Sequence, residues 1–155
     1  IDYAIAAGAE DIVQYLIERG YDRSASGYAM IGDRRVAERR YSDAISFYSR
    51  ALREDPTINV YANMGVAYYN LRGHGIARKC FSIPLERNPE DPELYFNLAC
   101  IAAAGRDRTK AIDYLELALS KGYPDPEGIS TDGRFAALKK DPRFTELLQR
   151  YVPAQ

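Results

Sequence analysis

The sequence predicts an all-α fold, a solenoid of stacked antiparallel helix hairpins with helical caps. The first supporting observation is a self-similarity in which similar residues recur after 33 or 34 residues, a period typical of helical repeats. The second is that apolar residues within each repeat recur at steps of three and four, which is the spacing of one helix face. Proline and glycine fall between these stretches, where they favour the end of one helix and the start of the next.

The repeat is visible as columns of similar residues that share one offset. The columns are Tyr28, Tyr61 and Tyr95; Ile31, Met64 and Leu98; Gly32, Gly65 and Ala99; Ala44, Ala77 and Ala111; Tyr48, Phe81 and Leu115; and Leu52, Leu85 and Leu119. Chance rarely produces so many columns with the same spacing, so three consecutive repeats are predicted. A single helix pair cannot bury both of its faces, and the pairs are therefore expected to stack.

Each repeat is predicted to hold two amphipathic helices. In the second repeat a helical stripe covers residues 61–68, the glycine-rich segment 72–75 breaks it, and another stripe covers residues 77–85. Asn88-Pro89 closes the second helix because a residue before proline avoids the helical region. Asp91-Pro92 opens the next helix, with an aspartate that can cap it and a proline at its first position.

Small residues at matching positions are predicted to allow close packing between helices. Gly32, Gly65 and Ala99 occupy one such position on the first helices, and a large residue such as Tyr48 is expected to fill the adjacent space. Pro84 interrupts the regularity, because a proline inside a helix removes a hydrogen bond and costs about 3 kcal/mol. We therefore expect a kink or an early end in that helix, and a local change in the superhelix.

The pattern Tyr-x-x-Ile-Gly…Ala-x-x-x-Tyr-x-x-Ala…Pro at residues 28–56 resembles a tetratricopeptide repeat (TPR), and residues 58–89 and 92–119 resemble two more. The resemblance implies a right-handed superhelix with repeats at 25–57, 58–91 and 92–121, in which the first helix of each repeat lines a concave groove. The chain departs from the family pattern at Arg35 and Ala102, where an aromatic residue is usual, and at Pro84, which replaces an alanine.

Both flanks are also predicted to be helical. Residues 1–22 suit two short helices around Gly8, the second of which ends at Gly20. This segment resembles the helix pair of an ankyrin repeat, and the alternative is a capping helix pair. The matching residues are Ala4, Gly8, Asp11-Ile12-Val13, Leu16-Ile17 and Gly20-Tyr21-Asp22. Residues 122–152 are predicted to form a C-terminal helical cap, and they resemble the tail that ends TPR groups in many bacterial proteins.

Composition limits the classes of partner. The chain has 21 Lys+Arg, 22 Asp+Glu and a net charge of −1, so no global field attracts nucleic acid. No apolar run approaches the roughly 20 residues of a membrane span, and no signal peptide is visible. Cys80 and Cys100 suit a reducing compartment, so a cytoplasmic location is expected.

Residues that could catalyse a reaction or hold a metal are sparse. His74 is the one histidine, which excludes sites built from histidine pairs, and it is interpreted as an exposed turn residue. Cys80 and Cys100 lack the CxxC spacing of a zinc site, and no phosphate-binding glycine loop occurs. The chain is therefore predicted to be no enzyme and to hold no cofactor or metal. Two basic clusters are interpreted as solvated faces: Arg34, Arg35, Arg39 and Arg40, and a second from Arg134 to Arg150.

A partner-binding groove is the remaining candidate site. Helical spacing places these residues along it: Met30, Asp33, Asn59, Asn63, Tyr69, Asn70, Phe96 and Asn97. Asn63 and Asn97 hold equivalent positions on successive repeats, so their amides could bind the backbone of an extended peptide. Tyr69 and Phe96 could supply apolar anchors. The alternative is that the asparagines stay hydrated.

These residues narrow the partner and leave rival functions open. One TPR branch clamps the C-terminal carboxylate of heat-shock chaperones, and at two of its clamp positions this chain has Asp33 and Glu93. These acids would repel a carboxylate rather than pair with it, so a chaperone tail is not expected. Of the clamp positions, only Asn63 agrees with that branch. A protein or peptide partner is expected instead. The rivals are a scaffold that self-associates and a regulatory part of a larger enzyme whose catalytic domain lies upstream of Ile1.

Overall fold

The computed structural model describes residues 10–21 and 23–152. Every regular element in these residues is helical, as predicted, and no strand occurs among them. The elements are α1 Glu10–Glu18, α2 Ala25–Ala37, α3 Tyr41–Glu54, α4 Tyr61–Asn70, α5 His74–Arg87, α6 Pro92–Ala104, α7 Arg108–Ser120, α8 Pro126–Thr131, a 3₁₀ helix Gly133–Leu138 and α9 Pro142–Tyr151. The chain divides into two compact units, unit 1 (residues 1–80) and unit 2 (residues 81–155).

Unit 1 is built on the pair α2 and α3, with α1 packed on α2 and α4 packed on α3. Its core has two clusters of buried residues. They are Val13, Ile17, Tyr28, Ile31 and Ala51, and Ala44, Tyr48, Val60 and Ala67. The predicted close approach at Gly32 is confirmed, because a Cβ atom there would lie less than 3.0 Å from the Tyr48 ring. That contact fixes the position of Tyr48 beside α2.

Unit 2 is built on the helix pair α6 and α7. The C-terminal segment, residues 122–152, packs against this pair. The 3₁₀ helix contacts both α6 and α7, and α9 contacts α7 and α8. The C-terminal segment contributes large apolar side chains to the core of the unit. These are Ile129, Phe135, Leu138, Phe144 and Leu147.

Aspartate caps explain where several helices of unit 2 begin. Asp91 accepts a hydrogen bond from the backbone N–H of Glu93 at 3.0 Å, and proline follows it, as predicted. Asp141 does the same for the N–H of Arg143 at 3.0 Å. Such caps satisfy N–H groups that have no partner inside the helix. The helix starts therefore follow from short local sequences.

Of the two outcomes predicted for Pro84, the early helix end is wrong, and a kink stays a prediction. The helix α5 continues through Pro84 to Arg87. A proline cannot donate a backbone hydrogen bond, but its carbonyl still accepts one, and the N–H of Asn88 donates to the Pro84 carbonyl at 2.9 Å. The turn that follows the proline is thus closed normally.

The described part of the N-terminal flank consists of α1 and its end. Val13 and Ile17 of α1 are buried in the first core cluster. Gly20 ends the helix as predicted, with a φ of 73° and with the N–H of Tyr21 donating to the Leu16 carbonyl at 2.8 Å. This is the glycine-dependent end motif of helices. The other residues of the predicted ankyrin-like pair, 1–9 and 22, lie outside the described residues.

The turns after α2, α4 and α6 share one backbone feature. Arg39, Arg72 and Arg106 have φ values of 60°, 63° and 61°, so each adopts the left-handed conformation. A residue with a side chain pays roughly 1–2 kcal/mol for this conformation, whereas glycine does not. The arginines follow the repeat spacing, so the same local strain occurs once in each predicted repeat.

Replacing one of these arginines by glycine is expected to stabilise the protein. Arg72 is exposed and has no ion pair with any described residue. Arg72→Gly should raise the free energy of unfolding by about 0.5–1 kcal/mol. This is the backbone strain relieved at positive φ minus the extra conformational entropy that glycine gives the unfolded chain. Arg78→Gly, inside α5, is the matched control and should lower it by about 1 kcal/mol. Urea denaturation measures both, and a loss of stability in Arg72→Gly would contradict the expectation.

Candidate functional site

Two predicted groove residues of unit 1 meet at an exposed carboxylate. Asp33 lies on α2 and Asn63 on α4, and the Nδ2 atom of Asn63 donates to Oδ1 of Asp33 at 2.7 Å. The hydroxyl of Tyr48 donates to the same oxygen at 2.6 Å. The Tyr48 side chain is 0% exposed, while Asp33 and Asn63 are both exposed. A buried aromatic residue thus anchors a polar pair that faces solvent.

The hydrogen bonds that Asp33 and Asn63 can make with a partner depend on which of their atoms are open, that is, not hydrogen-bonded within the protein. Burial and the hydrogen bond to Asp33 raise the pKa of the Tyr48 hydroxyl, so it stays protonated and acts as a fixed donor. Asp33 Oδ2 and Asn63 Oδ1 have no hydrogen bond with any described residue. Both open atoms accept hydrogen bonds. At these two atoms the pair therefore offers acceptors to a partner.

The other predicted groove residues of unit 1 differ in accessibility. Met30 is half-buried and packs against the first core cluster. Asn59 is exposed. Asn70 is exposed, but its Nδ2 atom donates to the Val66 carbonyl of its own helix at 2.8 Å. Of these side chains, Asn59 is the most open to a partner.

The interpretation of His74 as an exposed turn residue is wrong. His74 is the first residue of α5 and is half-buried. Its ring meets the ring of Tyr69 in a T-shaped arrangement, with centroids 5.4 Å apart. Tyr69, the predicted apolar anchor, is itself half-buried. The aromatic contact explains why this histidine lies against the protein rather than in solvent.

In unit 2 the structure places Phe96 in the core, not on an open groove. Phe96 is 7% exposed. Its ring stacks on Tyr123, with centroids 4.4 Å apart, and meets Phe135 edge-on at 5.8 Å. Phe135 belongs to the 3₁₀ helix, so the C-terminal segment covers this side of α6. The prediction that Phe96 serves as an exposed anchor is therefore corrected.

Two further residues share the predicted groove face of α6 with Phe96. Cys100 is buried, and Asn97 is half-buried. Their burial follows from the same cover by the C-terminal segment. That Asn97 lies beside Asn63 stays a prediction.

Most of the basic residues noted in the sequence are held in ion pairs. Arg34 pairs with Asp11 at 2.6 Å, and Arg40 pairs with Asp43. In the second cluster, three arginines pair with carboxylates at 2.6–2.9 Å. The pairs are Arg134 with Asp132, Arg143 with Asp113, and Arg150 with Glu116. The charges of these paired residues compensate one another.

Arg35 is an exception to the interpretation of the first cluster as a solvated face. It is 8% exposed, and its Nη1 atom pairs with Glu38 at 2.7 Å. The hydrogen bond from Arg35 is the largest cause of the lowered pKa of the Glu38 carboxyl. Because Arg35 stands where the TPR pattern has an aromatic residue, its aliphatic stem takes the buried place and its charged end reaches an acid.

The described residues offer little for catalysis. Among residues 10–21 and 23–152, no group of three or more His, Cys, Asp or Glu side chains could hold a metal ion. Cys80 and Cys100 are free and buried, and burial raises the pKa of the Cys100 thiol to about 12. A protonated thiol is a poor nucleophile. None of the helices in the described part of the chain has both the length and the apolar character that a bilayer crossing requires.

A cavity in unit 2 has no counterpart in the sequence pattern. Its volume is about 390 Å³, and its lining includes Ala103, Arg106, Arg108, Ala137 and Leu138. Ala103 lies on α6, Arg106 in the α6–α7 turn and Arg108 at the start of α7, and the other two residues belong to the 3₁₀ helix. No local pattern brings these segments together, so only the folded chain reveals the cavity.

Comparison with known proteins supports a similarity to tetratricopeptide repeats over part of the chain. A tetratricopeptide repeat family model matches residues 62–126. The anaphase-promoting complex subunit CDC16 of Saccharomyces cerevisiae is 35% identical over 63 residues, which cover 41% of this chain and 8% of that protein. These matches support a TPR protein. The match spans less than a tenth of the length of this curated relative. TPRs generally mediate contacts between proteins, so an interaction role is supported.

Proposed function

We propose that this chain is a non-catalytic TPR interaction module that binds an extended or short helical segment of a partner protein in its concave groove. The observation that carries the proposal is the hydrogen-bonded arrangement of Asp33, Tyr48 and Asn63. The yeast relative is by name a subunit of a protein complex, which agrees with this role. Two buried free cysteines suit the cytoplasmic location that we include in the proposal.

The fixed geometry at Asp33 favours binding because these side chains are already ordered, so little conformational entropy is lost when a partner binds. Tyr48 and Asn63 already hold one carboxylate oxygen at 2.6 and 2.7 Å, so a partner does not have to immobilise a free side chain. Groups that are ordered before binding contribute more net affinity. A micromolar complex corresponds to about −8 kcal/mol, which is the affinity we expect.

The open atoms also define the kind of segment. Asp33 Oδ2 and Asn63 Oδ1 both accept hydrogen bonds, and Asp33 adds a negative charge. A matching segment therefore presents backbone N–H groups or a Lys or Arg side chain at this point, since hydrogen bonds to charged groups are the stronger ones. In this proposal the Asn63 amide contributes its open oxygen, while one of the two N–H groups of its nitrogen already donates to Asp33.

Selection of peptides from a random displayed library, with the full chain as bait, tests the proposal. Asn63→Arg should weaken the selected peptides about tenfold or more, because the new cation would pair with Asp33 and occupy its face. The double change Asn63→Ala with Asn97→Ala should weaken them by at most a few kcal/mol. Arg53→Gln, an exposed change on α3, is the control and should bind as the unchanged protein does. Titration calorimetry measures all of these affinities.

Two results would count against the groove. One is that no peptide is enriched above the library background. The other is that the selected peptides bind Asn63→Arg as tightly as the unchanged protein, while far-UV circular dichroism shows both to be folded.

A further inference from the structure

The cavity of about 390 Å³ in unit 2 combines an apolar floor with two cations. Leu138 is buried and Ala103 is half-buried, so the floor is apolar. Arg106 and Arg108 also line the cavity, and both are exposed. The volume lies at the lower end of the range for ligand pockets, roughly 300–1,000 Å³. It is sufficient for one large apolar side chain.

The two arginines differ from half of the basic residues of unit 2. Arg106 and Arg108 have no ion pair with any residue that the structure describes, whereas five of the ten arginines and lysines of unit 2 do. The paired ones are Lys110, Lys121, Arg134, Arg143 and Arg150. The acid between the two arginines, Asp107, pairs with Lys110 at 3.1 Å. The lining of the cavity therefore includes two arginines with no ion pair to any residue that the structure describes.

Backbone hydrogen bonds fix the turn that contains Arg106, whereas the charge of Arg108 does not stabilise the helix that it begins. The N–H of Arg106 donates to the Ala103 carbonyl at 3.0 Å, and the N–H of Asp107 donates to the Ala102 carbonyl at 2.9 Å, so the turn is closed. Arg108 is the first residue of α7, at the positive end of the helix dipole, where a cation is unfavourable. Helix stability thus does not account for its charge.

We propose that this cavity binds a segment of a partner protein in which an apolar side chain is flanked by carboxylates. The apolar side chain enters between Ala103 and Leu138, and the carboxylates pair with Arg106 and Arg108. A guanidinium matches a carboxylate through two parallel hydrogen bonds. A nucleic acid fits less well, because the lining residues named above include no aromatic ring on which a base could stack.

Fluorescence anisotropy with the full chain and a labelled acidic nonapeptide tests this binding. The peptide has one central leucine with glutamates on both sides. Replacing its glutamates by glutamine, or its leucine by glycine, should each weaken binding about tenfold or more. Binding should also weaken between about 50 mM and about 300 mM NaCl, because salt screens exposed charges.

The matched variants separate this cavity from the groove. Arg106→Asn with Arg108→Gln should weaken the acidic peptide about tenfold or more, and asparagine tolerates the positive φ at residue 106. Arg72→Asn is the control, because residue 72 has the same backbone conformation and is not among the lining residues. Asn63→Arg should leave the affinity for this peptide unchanged, so that failure of the groove proposal and failure of this one are distinguishable.

Several results would overturn the inference. They are the absence of binding up to about 1 mM peptide, equal affinities for the glutamate and glutamine peptides, and unchanged affinity in the double variant. Tighter binding of a poly(dT) oligonucleotide than of the acidic peptide would likewise overturn it and assign the arginines to phosphate.

Discussion

Phe135→Ala is expected to lower the free energy of unfolding by about 3–5 kcal/mol, the usual loss for a large aromatic residue removed from a core. The Phe135 side chain is 0% exposed and meets the ring of Phe96 at 5.8 Å. Truncation would leave a cavity beneath Phe96 and would loosen the 3₁₀ helix from α6. Urea denaturation followed by far-UV circular dichroism measures the loss, since the chain has no tryptophan.

Leu117→Ala is the control for Phe135→Ala within the same unit. Leu117 lies on α7 and is 39% exposed, so less apolar area is lost and we expect a change below about 1 kcal/mol. If Phe135→Ala cost no more than Leu117→Ala, the C-terminal segment would not be an integral part of the core of unit 2.

The parts of the fold that were predicted correctly depend on residues close together in sequence. The starts of α6 and α9 at Asp-Pro pairs need only two residues and a backbone N–H nearby. Gly20 ends α1 through a hydrogen bond that spans five residues. The all-α class follows from helical periodicity repeated along the chain, which does not require knowledge of long-range contacts.

The errors concern side chains whose neighbours are distant in sequence. Phe96 was assigned to an exposed face because helical spacing places it beside Asn97, but spacing alone does not show that residues near Phe135 return to cover that face. Arg35 was interpreted as solvated because of its charge, yet its stem is buried and its end pairs with Glu38. In both cases tertiary packing decided the environment.

The candidate groove was predictable only in outline. Spacing placed Asp33 and Asn63 on the same side of successive first helices, and the structure brings them within hydrogen-bond distance. The role of Tyr48 was not foreseen, because the Tyr48 column in the sequence indicated packing alone. Its hydroxyl reaches Asp33 from a buried ring, which requires the close approach of α2 and α3. The cavity at Arg106 had no local signal at all.

Gly32→Ala is expected to lower the free energy of unfolding by about 2 kcal/mol. The added Cβ would overlap the ring of Tyr48, which is fully buried and cannot move aside. Overpacking of this kind costs about 1–3 kcal/mol or more, and the better helix propensity of alanine returns only about 1 kcal/mol. A displaced ring would also strain the hydrogen bond to Asp33, so the affinity of groove-bound peptides should fall with stability.

Gly75→Ala separates the cost of overpacking from the gain in helix propensity, which Gly32→Ala combines. Residue 75 is the second residue of α5, and a Cβ there would meet nothing within 4 Å. With no overlap, only the helix propensity changes, so we expect a gain of up to about 1 kcal/mol. If the two variants keep the m value of the unchanged protein, their urea midpoints should move in opposite directions from its midpoint. A gain in both would show that Tyr48 does not rest on Gly32, and the anchored geometry of Asp33 and Asn63 would lose its physical basis.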